Sequence, residues 1–500
     1  MKKIIDIVKK NWFFLLLVIP FVSICIVNRF QRNDTWFLLN CGRYVFGHGI
    51  PHVDPFTIHE GLNYVMQQWL TSVVFYGIFK VLGKYGLLYF TLLMSIVLMV
   101  LYYRLCYLVS KNKLLSILIT AIVFYMSSIF IILRPQLFTY LLLIIEVICL
   151  EKYVVKSNWK YLIPLPFLSI LLINFHASMW LFLFIFILPF MVEGIINLKK
   201  KSFRIKPLII VSLIMFVCGF INPYGWNGIT YIFKSYNIPE ISELVEEMKS
   251  IQLDQKLGKY LIFSIFAIVL LLNYVKKNKL CLRHLFFIVG TALLAFMHYK
   301  CFVYFALFGL YSVPLLIKEL KFDIKLNNKY FVSLIKGLTI GLSCLLVVTF
   351  VYTVYQLHKN YKFEESSQVK EVTDYIIDNY DKDEVILFVD YDYGGYTEYR
   401  GLKSYLDPRA ELFSEKLNGK ENILKEALIL ENATDDYYEK FLTRYNFTHL
   451  IVSSYLDNFI AYLKKSDDYV LEYEQSLGNN VGNVTINYLF VKKDISIKEK

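Results

Sequence analysis

Apolar runs of 15 to 23 residues, separated by short polar segments, recur along the first 355 residues of the chain. A helix needs roughly 20 mostly apolar residues to cross a bilayer, and shorter ones occur inside bundles. On that measure spans are expected near 11–29, 86–108, 114–133, 137–153, 161–175, 177–197, 207–221, 260–275, 284–298, 300–317 and 333–355, about eleven in all. The pattern changes near residue 360. Glu364–Tyr380 reads as a helix with Val369, Val372, Ile376 and Tyr380 on one face. Glu384–Val389 reads as a strand and Asp390–Gly395 as a turn. Two helices are expected near 414–430 and 434–445, then strands at Thr448–Ser453, Tyr469–Tyr473 and Thr485–Lys492. Strands alternating with helices predict a small α/β domain. The expected architecture is a polytopic α-helical membrane domain over 1–360, with a long first outer loop at 30–85, and a soluble α/β domain over 361–500.

Composition supports the membrane reading. Hydrophobic residues make up 57% of the chain and charged residues 19%, with a mean hydropathy of +0.48. A soluble domain is nearer half apolar and a quarter charged. Charge is also divided: 361–500 carries 17 Lys+Arg against 27 Asp+Glu, whereas 1–360 is net basic by 22. Basic residues in short loops mark the cytoplasmic side. They cluster at Lys2/Lys3/Lys9/Lys10, Arg104/Lys111/Lys113, Lys152/Lys156/Lys160, Lys199–Lys201 with Arg204/Lys206, Lys276/Lys277/Lys279/Arg283, and Lys318/Lys321/Lys325/Lys329. With all six inside, the N-terminus is cytoplasmic and the C-terminal domain lies outside. The alternation closes only if Gln67–Leu82 lies along the outer surface as an interfacial helix; a twelfth span there would invert every later loop. The pI near 9.0 is then a signature of orientation, and nucleic-acid binding is not expected. None of the eight cysteines lies in 361–500, so the outer domain relies on its core and not on disulfides. That favours a bacterial membrane over a eukaryotic secretory route.

Candidate chemistry gathers in the outer loops. Asp34 follows the first span and precedes an amphipathic helix, Trp36–Phe46, ended by Gly47 and Gly49. A carboxylate at the lipid–water boundary loses solvation, which suits it to accept a proton; its simpler reading is the N-cap of the helix that follows. Asp54, within Pro51-His52-Val53-Asp54-Pro55, is a weaker candidate because Asp-Pro starts turns. His48, His52 and His59 beside Asp54 invite a metal site, but their spacing matches no tight ligand pair. No metal is expected, although a divalent ion is compatible with these residues. Arg134, His176 and Lys300 stand at the outer ends of separate spans and could converge on an anionic head group, while each alone could simply anchor a helix end. In the outer domain Asp390, Asp392, Asp407 and Arg409 could mark a carbohydrate-binding edge, with turn chemistry and one Asp–Arg pair as the plainer reading.

The order of these motifs resembles the GT-C superfamily of polytopic glycosyltransferases, which includes protein O-mannosyltransferases and lipid A aminoarabinose transferases, and most closely its little-characterised bacterial members. The resemblance rests on Asp34-Thr35-Trp36 through Gly42-Arg43, Pro51 to Thr57, Trp69-Leu70, Arg134 to Phe138, Asn174-Phe175-His176, Asn222-Pro223-Tyr224-Gly225-Trp226 and the Tyr393–Tyr396 turn. It implies inverting transfer of a sugar from a polyprenyl-phosphate donor to an envelope glycan, lipid or protein at the outer face of the bacterial cytoplasmic membrane. Asp34 would be the general base. Arg134, His176 and Lys300, with Arg43, Asn222 and Tyr224, would bind substrate amid membrane lipids. Two positions depart from the pattern: Gln67-Gln68 stands where relatives often carry an acid, and Ala177-Ser178 follows His176 in place of glycines. The alternatives are an envelope-lipid transporter or flippase, a non-catalytic scaffold, and a glycan polymerase or ligase.

Overall fold

The computed structural model describes residues 12–27, 33–196, 204–235, 238–274, 281–318, 329–477 and 485–498. The basic residues of 1–10, 199–201, 276–279 and 321–325 lie outside them. The chain forms two compact units. One comprises Met1–Phe30, Leu88–Ile221 and Glu247–Tyr361; the other comprises Gln31–Leu87, Asn222–Glu246 and Lys362–Lys500. Gln31–Leu87 and Asn222–Glu246 thus group with the C-terminal domain rather than with the helices that precede and follow them.

In the first unit, each of the eleven apolar stretches is helical over most of its described length. Four helices among the described residues are long and apolar enough to cross a membrane: Trp69–Ser110, Ala177–Ile196, Lys256–Asn273 and Ile340–Asn360. Shorter apolar helices, such as Lys113–Met126 and Leu282–Met297, accompany them. These helices make the chain a membrane protein. The stretch 300–317 is not one regular helix. A π-helical turn, Phe305–Gly309, precedes Val313–Lys318, and Pro314 has no N–H with which to continue the ladder.

A buried ionic cluster ties this unit together. Arg283 grips Glu151 through Nε (3.0 Å) and Nη2 (2.9 Å), and donates to Glu193 through Nη1 (2.6 Å) and its backbone N–H (2.9 Å). His284 Nε2 and the Tyr311 hydroxyl each lie 2.9 Å from Glu151 Oε1. Charges held away from water need such complete pairing, and the cluster joins the helices Gln136–Lys156, Leu181–Ile196 and Leu282–Met297.

The second unit is built on a five-stranded sheet of β1 (Ile386–Val389), β2 (Lys403–Ser404), β3 (His449–Ser453), β4 (Tyr469–Leu477) and β5 (Thr485–Lys492). Its order is β2-β1-β3-β5-β4. β1 runs parallel to β2 and β3, while β5 is antiparallel to β3 and β4. The expected helix near Glu364–Tyr380 is Lys370–Asn379, and Val369, Val372, Ile376 and Tyr380 are all buried. Aromatic packing builds the core: the Phe388 ring lies 5.5–5.9 Å from those of Tyr405, Phe441, Phe447 and Phe459. Three elements escape the hydrophobic pattern because they are short or polar: β2, and the helices Gly394–Tyr399 and Asp457–Lys465. The turn expected over Asp390–Gly395 therefore runs directly into a helix.

Segments from Gln31–Leu87 complete this unit. Thr57 bridges to Ser404 in parallel fashion, so the chain at Thr57 lies beside the β2 edge of the sheet. The helix Asn33–His48 packs on Gly394–Tyr399, with Trp36 buried against Phe363, Tyr396 and Tyr399. The helix expected at Gln67–Leu82 begins at Trp69. It breaks at Gly83, whose φ of 62° and ψ of −160° suit glycine alone. Residues 69–82 cross Asn33–His48 at Gly42, where a Cβ would come within 2.2 Å of the Ser72 carbonyl oxygen.

Candidate functional site

Three of the expected substrate-binding residues come together in the helical unit. Arg134 sits just before Pro135, which opens the helix Gln136–Lys156 where a missing N–H costs nothing. Thr139, in the first turn, has its hydroxyl 2.7 Å from His176 Nδ1. His176 ends the helix Pro164–Phe175, and Phe175 stacks on Phe138 at 4.0 Å to hold the two helix ends together. Lys300 lies in the turn Tyr299–Cys301. Burial, then the nearby charges of Lys300 and Arg134, lower the His176 imidazole to about 3. The group is thus two cations beside a neutral, buried imidazole. Such a set suits an anion with several acceptor oxygens.

An internal anion already meets this group. Arg134 Nη1 donates to both carboxylate oxygens of Glu247, at 2.8 and 3.0 Å. The Glu247 segment is held from behind: His298 Nδ1 donates to the Met248 carbonyl and the Tyr299 N–H to that of Lys249, both at 2.8 Å. Asn174 of the Asn174-Phe175-His176 motif donates to the Ile170 (2.7 Å) and Ile221 (2.8 Å) carbonyls, which fixes the backbone beside His176. Neither Thr139 nor the pairing of Glu247 with Arg134 was legible beforehand, because each depends on which helix ends become neighbours.

The remaining candidates lie in the second unit. The helix expected to begin after Asp34 begins instead at Asn33, so Asp34 lies in its first turn and not at its cap. It is half-buried, and its charge is felt by Tyr391, in the turn after β1. Arg43 donates to Asn40 Oδ1 (2.6 Å) and to the Tyr399 carbonyl (2.9 Å). Asn222 Oδ1 accepts from the Tyr224 N–H (2.9 Å), shaping the turn of its motif. The Tyr224 hydroxyl donates to the Pro51 carbonyl (2.9 Å) and accepts from the Met66 N–H (3.0 Å), pinning both ends of 51–66.

Asp54 is buried and fully engaged. One oxygen accepts from the Phe56 N–H, the Thr57 N–H and the Thr57 hydroxyl; the other accepts from Arg409 at 2.5 Å. The expected Asp–Arg pair in the outer domain is larger than one pair: Arg409 meets Asp407, Asp54 and, at 3.5 Å, Glu398, between the rings of Phe56 and Tyr64. Burial, reinforced by Asp407, raises the Glu398 carboxyl well above its ordinary range. Asp390 and Asp392 stand apart from this cluster, after β1, where burial raises Asp390 to about 6 despite Tyr455 and Ser453 beside it. His59 Nε2 meets the Tyr405 carbonyl at 2.8 Å, His48 stacks on Tyr44, and His52 lies edge-on to Tyr224. Among the described residues no three His, Cys, Asp or Glu side chains are placed to share a metal ion.

No family model and no curated protein sequence matches the chain. Solved structures do. The apo oligosaccharyltransferase of Archaeoglobus fulgidus superposes with a TM-score of 0.56 at 12% identity, over 98% of this chain and 75% of that one. The oligosaccharyltransferase AglB of the same organism, in complex with an inhibitory peptide and a dolichol-phosphate, gives 0.51 at 11% identity, over 96% and 74%. The form tethered to an acceptor peptide containing the NVT sequon gives 0.53 at 12%, over 96% and 74%. At such identities the likeness is one of fold. The chain has the fold of these archaeal oligosaccharyltransferase structures.

Proposed function

We propose that this protein transfers a sugar from a polyprenyl-phosphate-linked donor to an acceptor outside the membrane. The observation that carries the reading is the meeting of Arg134, Lys300 and neutral His176 in the helical unit. Two cations there would hold the donor phosphate and stabilise the charge that grows on it as the glycosidic bond breaks. The fold is shared with an oligosaccharyltransferase solved with a dolichol-phosphate, which supports a lipid-linked donor. Asp34 serves as general base in this scheme, taking the proton of the acceptor hydroxyl so that the sugar is transferred with inversion. Such a base contributes about 10²–10⁴-fold. Asp54 is the poorer choice, since both its oxygens are committed to hydrogen bonds. Arg43, Asn222 and Tyr224 support the fold around Asp34 and 51–66 more directly than they support a ligand. The proposed setting is a bacterial cytoplasmic membrane, with an envelope glycan, lipid or protein as acceptor.

Envelope glycans from cells holding the wild-type protein, no protein, or Asp34→Asn at matched membrane levels test this. Loss of the same sugar in the deletion and in Asp34→Asn is expected. A wild-type glycan profile with Asp34→Asn overturns the role of Asp34. Transport of an envelope lipid is the second reading, favoured by Glu146, which is buried in Gln136–Lys156 with neither carboxyl oxygen hydrogen-bonded. Buried acids within membrane helices often mark a transport path. Under that reading Glu146→Gln, and not Asp34→Asn, reproduces the deletion.

A further inference from the structure

The two partners of the Arg134–Glu247 pair are unequal. The Arg134 side chain is 15% exposed and that of Glu247 43% exposed. A guanidinium in so enclosed a place is costly without an anion beside it, whereas a half-exposed carboxylate returns to water at small cost. Glu247 is therefore the partner free to leave. Its two oxygens share one guanidinium nitrogen, a place that two oxygens of a phosphate could take instead.

The surrounding segment is built for release. Behind Glu247 the backbone is tied to the helical unit by hydrogen bonds from His298 to the Met248 carbonyl and from the Tyr299 N–H to that of Lys249. Ahead of it the chain crosses into the second unit between Glu246 and Glu247. The segment also contributes little apolar burial: Glu247 and Met248 are half-buried, and Lys249 and Ser250 are exposed. Few buried apolar contacts characterise segments that open locally at low free energy.

We infer that Glu247 is an internal stand-in for the ligand's phosphate, an autoinhibitory carboxylate that holds Arg134 until a phosphate-bearing lipid displaces it. This rests on the proposed role of Arg134, Lys300 and His176 in holding an anion. The expelled carboxylate moves outward with residues 247–249, so the site opens only when an anion is present to replace it. The arrangement favours ligands with phosphate over neutral lipids, because a neutral head group does not replace the negative charge that Arg134 loses when Glu247 departs.

The test is binding of a polyprenyl monophosphate to the full-length protein in lipid nanodiscs, with the corresponding polyprenol as the uncharged control. Glu247→Gln removes the competing charge yet keeps an acceptor oxygen for Arg134. It is expected to bind the monophosphate roughly two- to fivefold tighter than wild type, the upper part of the range of a partly exposed ion pair. Polyprenol binding should not change. Arg134→Gln should abolish the preference for phosphate. Equal affinities of wild type and Glu247→Gln for the monophosphate overturn the stand-in role while leaving the anion site intact. Failure of both to prefer monophosphate over polyprenol overturns the anion site and the inference together. If Glu247→Gln does not fold, His298→Ala loosens the same segment through Met248, and it is expected to tighten binding in the same direction; unchanged affinity there overturns the inference as well.

Discussion

Arg409 of the C-terminal domain donates to Asp54, in the segment 51–66, at 2.5 Å, across 355 positions of sequence. The bond makes one folded unit of two segments that a long helical domain separates along the chain. Arg409 also pairs with Asp407 and, at 3.5 Å, with Glu398. Arg409→Leu would strand three carboxyl groups in the interior. Removing one partner of a buried ionic cluster costs about 3–5 kcal/mol. Thermal unfolding of the purified protein should show a large loss, with earlier proteolytic cleavage in 51–66. An unchanged melting temperature would mean that the loop is held by its strand pairing alone.

Asp390 makes a pH-dependent prediction. Its folded-state value, about 6, lies above the ordinary value of 3.8. Stability tied to its proton is complete below about 4 and is lost as pH rises through about 6, amounting to about 3 kcal/mol. Asp390→Asn should therefore flatten the decline in stability between pH 4 and 6.5 and leave the variant more stable than wild type at neutral pH. The check is melting temperature against pH. A parallel decline in both proteins would place the titration elsewhere, with Glu398 the first group to examine.

Tyr224→Phe removes one hydroxyl and with it both hydrogen bonds that pin 51–66, leaving the Pro51 carbonyl and Met66 N–H without that partner. A loss of about 1–3 kcal/mol is expected. Hydrogen exchange should rise at the Met66 amide and across 51–66 before it rises in the β-sheet. Uniform destabilisation without local exchange would argue against a pinning role.

In the helical unit, Arg283→Leu leaves Glu151 and Glu193 buried without their shared cation. It should destabilise the protein by about 3–5 kcal/mol. Adding Glu151→Gln and Glu193→Gln removes the stranded charges, so the triple variant should recover a substantial part of that loss. Melting temperatures of the four proteins in detergent decide the matter. No recovery in the triple variant would mean that packing of the arginine stem, and not charge pairing, dominates.

What could be read from the chain alone followed from local periodicity. Apolar runs separated by basic clusters mark membrane helices because lipid accepts neither free backbone polar groups nor charge. Val369, Val372, Ile376 and Tyr380 identified a helix face because one element carries the whole pattern. The order of short motifs resembles that of polytopic membrane glycosyltransferases, and the chain shares its fold with solved oligosaccharyltransferase structures. Tertiary structure alone decided the partners. β2 is only two residues long, and its strand character comes from pairing with β1 and from Thr57 beyond it. Glu247 is one acid among several in its segment of sequence, and folding sets it against Arg134. Arg409 and Asp407 suggested a local pair until Asp54 arrived from the far end of the sequence. Periodicity reports which face of an element avoids water, whereas the choice of ionic partner depends on burial and geometry that arise only when distant segments meet.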